Sequence, residues 1–114
     1  MNQARIAIST AASLQEAERI ASALVEQQLA ACVNLIPQIK SIYRWQGELE
    51  ESAEVLLIIK TTAPCLPDLE STLRSLHSYS VPELLVLDIA SGSPAYLQWI
   101  FESVTPPSTP SKSG

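Results

Sequence analysis

Two long strand-like segments joined by a short turn constrain the fold more than any other feature of this sequence. The first, Cys32–Trp45, is rich in apolar and aromatic residues, and the second, 48–60, passes from an acidic half into a continuous apolar run. Gln46 and Gly47 between them are typical of a turn. Pro37 cannot donate a hydrogen bond to a neighbouring strand, which predicts a bulge or an edge position there. We therefore expect a long antiparallel hairpin.

A strand and a helix precede this hairpin, and a helix and a strand follow it. Residues 4–10 alternate with the period of a strand, and the S-x-x-E capping box that opens residues 13–29 precedes apolar residues at helical spacing. Two prolines suited to a first helical turn begin a second helix, 64–77, whose leucines continue at helical spacing. The compact apolar run 83–90 predicts a buried strand.

A short third helix should close the domain. Ser93 is placed to cap it and Pro94 to occupy its first position. The side chains expected to face inward are Tyr96, Leu97, Ile100 and Phe101. The final TPPSTPSKSG has no apolar residue to anchor it, so we expect one domain over 1–103 and a disordered tail over 104–114.

The order β-α-β-β-α-β plus a terminal helix predicts an α+β fold of the ferredoxin-like, split βαβ type. In this fold two crossovers place both main helices on one face of a four-stranded antiparallel sheet and leave the other face uncovered. Hairpin arms of about fourteen residues would be about 45 Å long, whereas a compact domain of this length is only about 35 Å across. The hairpin should therefore overhang its own domain.

The overhanging hairpin carries two aromatic residues, Tyr43 and Trp45. Aromatic side chains with one polar group are favoured at protein interfaces, although a tryptophan at a hairpin end can also pack on its own sheet. Open strand edges beside exposed apolar surface normally require a covering partner. We therefore expect a homo-oligomer with both residues at the subunit interface.

Composition excludes several classes of function. The formal net charge of −5 disfavours nucleic-acid partners, whose phosphates attract Lys and Arg. No apolar run is long enough to span a membrane and no secretion signal is visible, which predicts a cytoplasmic protein. Cys32 and Cys65 lack metal-ligand spacing and should be free thiols. No catalytic or phosphate-binding motif is present, so we do not expect an enzyme.

The segment LHSYSVPELLVL contains His77, the only histidine of the chain. At the end of the second helix a histidine can satisfy terminal carbonyl groups, or it can bind a metal. Glu83 begins an apolar strand and should lie at the end of the sheet, facing solvent or a neighbouring subunit. One imidazole and one carboxylate leave a divalent ion mostly hydrated, so any site here should be weak.

Five segments, in order over nearly residues 4–102, carry a specific resemblance to a known family. AACVNLIP, SIYRWQGELEE, EVLLIIKTT, H-x-Y-x-VPE and PAYLQWI resemble the CutA divalent-ion tolerance proteins. The resemblance implies a ferredoxin-like subunit in a tight homotrimer, similar in architecture to the trimeric PII signalling proteins, with hairpins that wrap onto neighbours. It also implies a role in tolerance of divalent metal ions, copper among them.

The copper site implied by this resemblance is incomplete here. In members with such a site the ligands are a cysteine late in strand one and one or two histidines before a Pro-Tyr pair. Ser9 occupies the cysteine position, and Leu76 stands where a second histidine would precede His77. The remaining metal candidates are His77 and Glu83, beside Ser9, with Tyr79 lining the same cleft.

Two functions follow from these observations. The first is a non-enzymatic trimer in divalent-ion tolerance that requires no cofactor and binds copper weakly. The second is a PII-like sensor that binds a small molecule in clefts between subunits. The shared fold also admits an acylphosphatase-type enzyme, but the turn after strand one carries no arginine to hold phosphate.

Overall fold

A four-stranded antiparallel sheet organises the structure, a computed structural model that describes residues 3–105. The elements are β1 (Ala4–Ala11), α1 (Leu14–Glu26), β2 (Cys32–Trp45), β3 (Glu48–Thr62), a 3-10 turn (Ala63–Cys65), α2 (Leu66–Leu76), β4 (Leu85–Asp88) and α3 (Pro94–Ser103). The strand order is β2-β3-β1-β4, and each neighbouring pair is antiparallel. The split βαβ fold predicted from the sequence is confirmed.

Both main helices pack on the same face of the sheet, as predicted. Alternate residues of β1 and β3, among them Ala7 and Leu57, point towards this face and are fully buried. They pack against Ile20 and Leu24 of α1 and against Leu73 of α2. Removal of this apolar surface from water is the main force that holds the layers together.

The opposite side of the sheet, here called the open face, carries no main helix. Its apolar residues by strand register are Ile6, Ile8, Ile36, Leu56, Ile58, Leu85 and Leu87. Leu85 and Leu87 are 58% and 48% exposed, so the prediction that the last strand is buried is wrong for the single chain. The reason is that β4 lies at the sheet edge, whereas α3 packs on β1 and β3, with Ile100 against Ala4.

The hairpin extends beyond its own domain, as the lengths predicted. β1 ends opposite Val55, so residues 39–45 and 48–54 pair only with each other. This part of the hairpin, 39–54, is called the overhang below. The longest dimension of the chain is 49 Å and the radius of gyration is 15.3 Å, against about 13 Å for a compact domain of this length.

Two backbone irregularities shape the hairpin. The register between β2 and β3 shifts between Ile36 and Ile39, and Gln38 between them has a φ of 62°. The bulge and the edge position expected from Pro37 are therefore both confirmed. At the tip Gln46 and Gly47 have φ values of 51° and 83°, and two positive values in succession define a turn whose twist matches the flanking strands.

Helix α1 ends three residues earlier than the predicted 13–29. Gln28 adopts the left-handed conformation, with a φ of 59°, and the Leu29 amide donates to the Leu24 carbonyl oxygen at 2.9 Å. A left-handed residue of this kind terminates a helix by turning its last carbonyls onto new donors. Because the sequence has no glycine at this position, the end of the helix could not be predicted from it.

The end of the described chain packs onto the domain. Val104 is buried and the Thr105 amide donates to the Gln28 carbonyl oxygen at 2.9 Å, so these first two residues of the predicted tail pack on the domain. The rest of the predicted tail, 106–114, lies outside the described residues. In α3 Ile100 is buried as expected, but Tyr96 is 45% exposed and stacks on Trp99 at the surface, so its predicted inward orientation is wrong.

Two further findings concern the whole described chain. Cys32 and Cys65 are free thiols, as predicted. Within residues 3–105, none of the helices has the length and apolar character needed to cross a membrane.

Candidate functional site

The predicted site residues lie where four parts of the fold converge: the end of β1, the first turn of α1, the end of α2 and the loop that leads to β4. We call the cluster of polar groups at this point the polar junction; its members are Ser9, Thr10, Glu16, His77, Ser78 and Tyr79. Ser13 caps α1 by accepting a hydrogen bond from the Glu16 amide at 3.1 Å. This cap starts the helix so that Glu16 lies in its first turn.

His77 forms the centre of the junction, and its side chain has no solvent-accessible surface. Its Nε2 lies 2.7 Å from the Thr10 carbonyl oxygen; because a carbonyl can only accept, the hydrogen belongs on Nε2. Its Nδ1 then accepts from the Tyr79 amide at 3.1 Å. Both ring nitrogens are therefore committed to the backbone, and neither lone pair is free for a metal in this arrangement.

Glu16 connects α1 to the loop after α2. Its carboxylate accepts from the Ser78 amide at 2.6 Å and from the Ser78 hydroxyl at 2.9 Å, and it lies 3.6 Å from His77 Nδ1. Burial raises the pKa of Glu16, but the two Ser78 hydrogen bonds and the electrostatic interaction with His77 together lower it below its ordinary value of 4.5. The carboxylate is thus held in its ionised form.

Ser9 and Glu83 meet, but the contact does not involve the Glu83 carboxylate. Ser9 is fully buried, and its hydroxyl donates to the Glu83 main-chain carbonyl oxygen at 2.7 Å. Glu83 itself is exposed. Ser9 therefore ties the end of β1 to the segment that enters β4.

The structure brings the three predicted metal candidates into one region without forming a ligand set. His77 binds Thr10 and Tyr79, whereas Ser9 binds the backbone of Glu83. Among residues 3–105, three or more His, Cys, Asp or Glu side chains nowhere gather closely enough to hold a metal ion. Metal binding by this set stays a prediction.

Tyr79 connects the junction to the hairpin. Its ring lies against that of His77, with centroids 4.8 Å apart, and its hydroxyl donates to Glu54 Oε2 at 2.7 Å. Burial, followed by this hydrogen bond and the negative charge of Glu54, raises the pKa of the Tyr79 phenol, which keeps the donor protonated. Tyr79 also lines an open groove of about 560 Å³ beside α2, together with Glu70, Ser71 and Arg74.

Tyr43 and Trp45 lie on β2, in the outer part of the overhang. They are 42% and 52% exposed in the single chain. The Tyr43 hydroxyl accepts from Ser52 at 3.3 Å across the hairpin. Their role at a subunit interface stays a prediction.

Sequence reasoning missed the partners that complete the junction. Glu16 was interpreted only as part of a capping box, although its strongest bonds are to Ser78, which is 62 positions away. Glu54 was interpreted only as part of a solvated acidic half-strand. No local pattern marks either contact, because both arise from the way the sheet brings distant loops together.

The fold and the junction together define the class of this protein. It is a ferredoxin-like α+β domain with an extended hairpin and a polar cluster at one end of its sheet. The family model described as CutA1 divalent ion tolerance protein matches residues 5–103. The chain belongs to this family.

Individual relatives agree with the family match. The Divalent-cation tolerance protein CutA of Thermus thermophilus is 48% identical over 86% of this chain and 95% of its own length. The human Protein CutA is 52% identical over 74% of this chain, which spans only 47% of the human protein. A solved structure of the divalent cation tolerance protein from Thermus thermophilus superposes with a TM-score of 0.88 over 90% of this chain and 99% of its own.

An archaeal relative has the same fold. The Archaeoglobus fulgidus structure, titled as a periplasmic divalent cation tolerance protein CutA, is 39% identical with a TM-score of 0.86, over 90% of this chain and 99% of its own. Family membership and the divalent-cation tolerance name of these relatives are thus established by sequence and fold together. The predicted cytoplasmic location of the present protein stays a prediction.

Proposed function

We propose that this protein is a non-enzymatic homotrimer that takes part in divalent-cation tolerance, without a required cofactor and without a nucleic-acid or membrane partner. The observation that carries the proposal is the open face. Its leucines and isoleucines form one continuous apolar surface across all four strands. Contiguous apolar surface of this kind on a soluble protein marks an interaction site.

The overhang supports the same assembly. Its exposed apolar residues are Ile42, Tyr43, Trp45 and Leu49. Residues beyond the end of β1 have no further strand of their own subunit beside them, so a neighbouring copy is the natural surface for them to cover. The choice of three copies rests on the resemblance to trimeric proteins of this fold.

In this proposal the polar junction stabilises the subunit and does not bind copper tightly. A tight Cu(I) site needs thiolate or thioether ligands, and the cysteine position holds Ser9, whose hydroxyl already donates to Glu83. His77 has no free ring nitrogen to replace the missing ligand. We expect divalent ions to bind weakly, through exposed carboxylates.

Sedimentation velocity tests the assembly. The unaltered protein should sediment at micromolar concentration with about three times the 12.4 kDa mass of one chain. Leu87→Lys places a charge on the open face at a half-exposed position and should yield monomers that remain folded. Val25→Lys, at a similarly exposed apolar position on α1, is the matched control and should leave the trimer intact. Monomers of the unaltered protein would contradict the proposal.

A second candidate function, a PII-like sensor, is favoured by the groove beside Tyr79. The groove offers the Arg74 guanidinium beside the hydroxyls of Ser71, Ser75 and Ser80, which suits an anionic small molecule. A thermal-shift screen with nucleotides and with Cu²⁺ separates the two functions, because a ligand specific to the native state raises its melting temperature. A saturable nucleotide shift that disappears in Arg74→Ala would favour the sensor.

We also propose a cytoplasmic location for the protein. Fractionation of the source cells, with a known cytoplasmic and a known exported marker, tests this location. Recovery with the exported marker would contradict it.

A further inference from the structure

Three separate features of the fold occur at one level of the sheet, the base of the overhang. β1 ends opposite Val55, so β3 has no second neighbouring strand from Glu54 back towards the hairpin tip. The β2 bulge comes at the same level, because the first pair after the register shift is Ile39 with Glu54. The Tyr79 hydroxyl reaches Glu54 at this same point. The sheet is therefore narrowest and least regular where this one side chain from outside the hairpin holds it.

The bond between Tyr79 and Glu54 is the sole side-chain hydrogen bond or ion pair that joins the overhang to the rest of the subunit within residues 3–105. The other polar side-chain contacts of the overhang are internal: Ser52 with Tyr43, and Lys40 with Glu51. A two-stranded ribbon without a third strand is only marginally stable by itself. Its direction relative to the domain is thus free to vary unless something outside the hairpin fixes it.

We propose that the bulge is a hinge of the overhang and that Tyr79 is the latch that sets its direction. The inference concerns one subunit and does not depend on the proposed function. A bulge adds an unpaired residue and bends its strand locally, which supplies a place where two β-strands can flex together. The latch closes because the partly buried phenol of Tyr79 donates to Glu54 on β3.

The latch is held rigidly at its other end. The Tyr79 amide donates to His77, whose ring donates in turn to Thr10 at the end of β1, and the adjacent Ser78 is bound twice by Glu16. Tyr79 is therefore anchored through α1 and β1 before it reaches the hairpin. This makes Tyr79 a positioning residue for the overhang.

Hydrogen exchange of the full-length protein tests the latch, with Leu87→Lys as the common background and reference, so that no neighbouring copy covers the overhang. Tyr79→Phe removes the hydroxyl and keeps the ring, so we expect the backbone amides of 39–45 and 48–54 to exchange about tenfold faster, which corresponds to about 1.4 kcal/mol. Exchange in α1 and β1 should stay unchanged. Ser52→Ala is the matched control: it also removes a hydroxyl from a hydrogen bond of the hairpin, but that bond is internal and exposed, and exchange should not change.

Variants of the acceptor test the same bond from the other side. Glu54→Gln keeps an oxygen that can accept from Tyr79 and should retain protection, whereas Glu54→Ala should behave like Tyr79→Phe. The double variant Tyr79→Phe with Glu54→Ala should exchange no faster than either single variant, as expected for two residues that share one interaction. Exchange in Tyr79→Phe that matches the Leu87→Lys reference, or that rises equally in every element, would overturn the proposal. If Tyr79→Phe does not fold, Glu54→Ala against Glu54→Gln decides it.

Discussion

His77 connects two parts of the subunit through both of its ring nitrogens. His77 is enclosed and uses one nitrogen as donor and the other as acceptor to join the end of β1 to the loop after α2. A buried polar group is stabilising when its hydrogen bonds are complete and costly when one is lost. The residue that a sequence presents as a ligand thus functions here as a connector.

Loss of His77 should lower the stability of the protein but hardly change its affinity for copper. His77→Ala leaves the Thr10 carbonyl and the Tyr79 amide without their partner, and should lower the free energy of unfolding by about 3 kcal/mol in urea titrations. Calorimetry should find weak copper binding that the substitution hardly changes. Glu83→Ala, at an exposed carboxylate, is the control and should cost less than about 0.5 kcal/mol. Tight copper binding that disappears in His77→Ala would show that the histidine is a working ligand.

The lowered pKa of Glu16 should make the free energy of unfolding depend on pH. Its pKa in the folded protein is below the ordinary 4.5, so its contribution is complete above pH 4.5 and is lost as the pH falls through the folded value. Unfolding free energies measured at decreasing pH should therefore fall more steeply for the unaltered protein than for Glu16→Gln, and the two curves should converge in acid. Parallel curves would mean that this carboxyl group has the same pKa in the folded and unfolded states.

At the scale of single elements, local sequence signals predicted the parts of the fold that local chemistry determines. Pro37 correctly predicted the bulge, Gln46-Gly47 the turn, and Ser93 with Pro94 the start of α3. The exposure of β4 could not be predicted in this way, because an apolar run is compatible with a buried central strand and with an edge strand that another subunit covers. The link between Glu16 and Ser78 was equally hidden, since it depends on which loops the sheet brings together.

The hairpin tip offers a test at this scale. Gln46 holds a left-handed conformation that Asn tolerates better, and Asn-Gly is the preferred pair for such a turn. Gln46→Asn should therefore raise the free energy of unfolding by about 0.5 kcal/mol. Gly47→Ala should lower it by about 1 kcal/mol through backbone strain alone, because no heavy atom lies within 4 Å of the added Cβ. Equal stability of both variants in urea titrations would contradict this account of the turn.

At the scale of the whole molecule, net charge opposes the proposed assembly. Each chain contributes a formal charge of −5, and three of its cations are already engaged within the subunit: Arg5 with Asp88, Lys40 near Glu51 and Lys60 with Asn34. Association must therefore overcome repulsion between like-charged subunits, which the apolar open face is suited to do.

The salt dependence of trimer dissociation tests whether charge repulsion opposes assembly. Raising the salt concentration screens repulsion between exposed charges, so the trimer should dissociate less on dilution in about 0.5 M NaCl than in about 0.05 M, as followed by sedimentation. A neutral osmolyte at matched osmolality is the control and should not reproduce the change. Weaker association at high salt would instead indicate that attractive charge pairs hold the subunits together.

The bulge in β2 should also limit aggregation of the protein through its edge strand. β2 is a long edge strand, and an uninterrupted edge of that length can recruit identical strands into fibrils. Pro37 presents no amide hydrogen there, and the positive φ of Gln38 bends the strand beside it. The same two residues that give the hairpin its hinge thus break its edge into two short pieces, neither of which offers another chain a continuous row of donors and acceptors to copy.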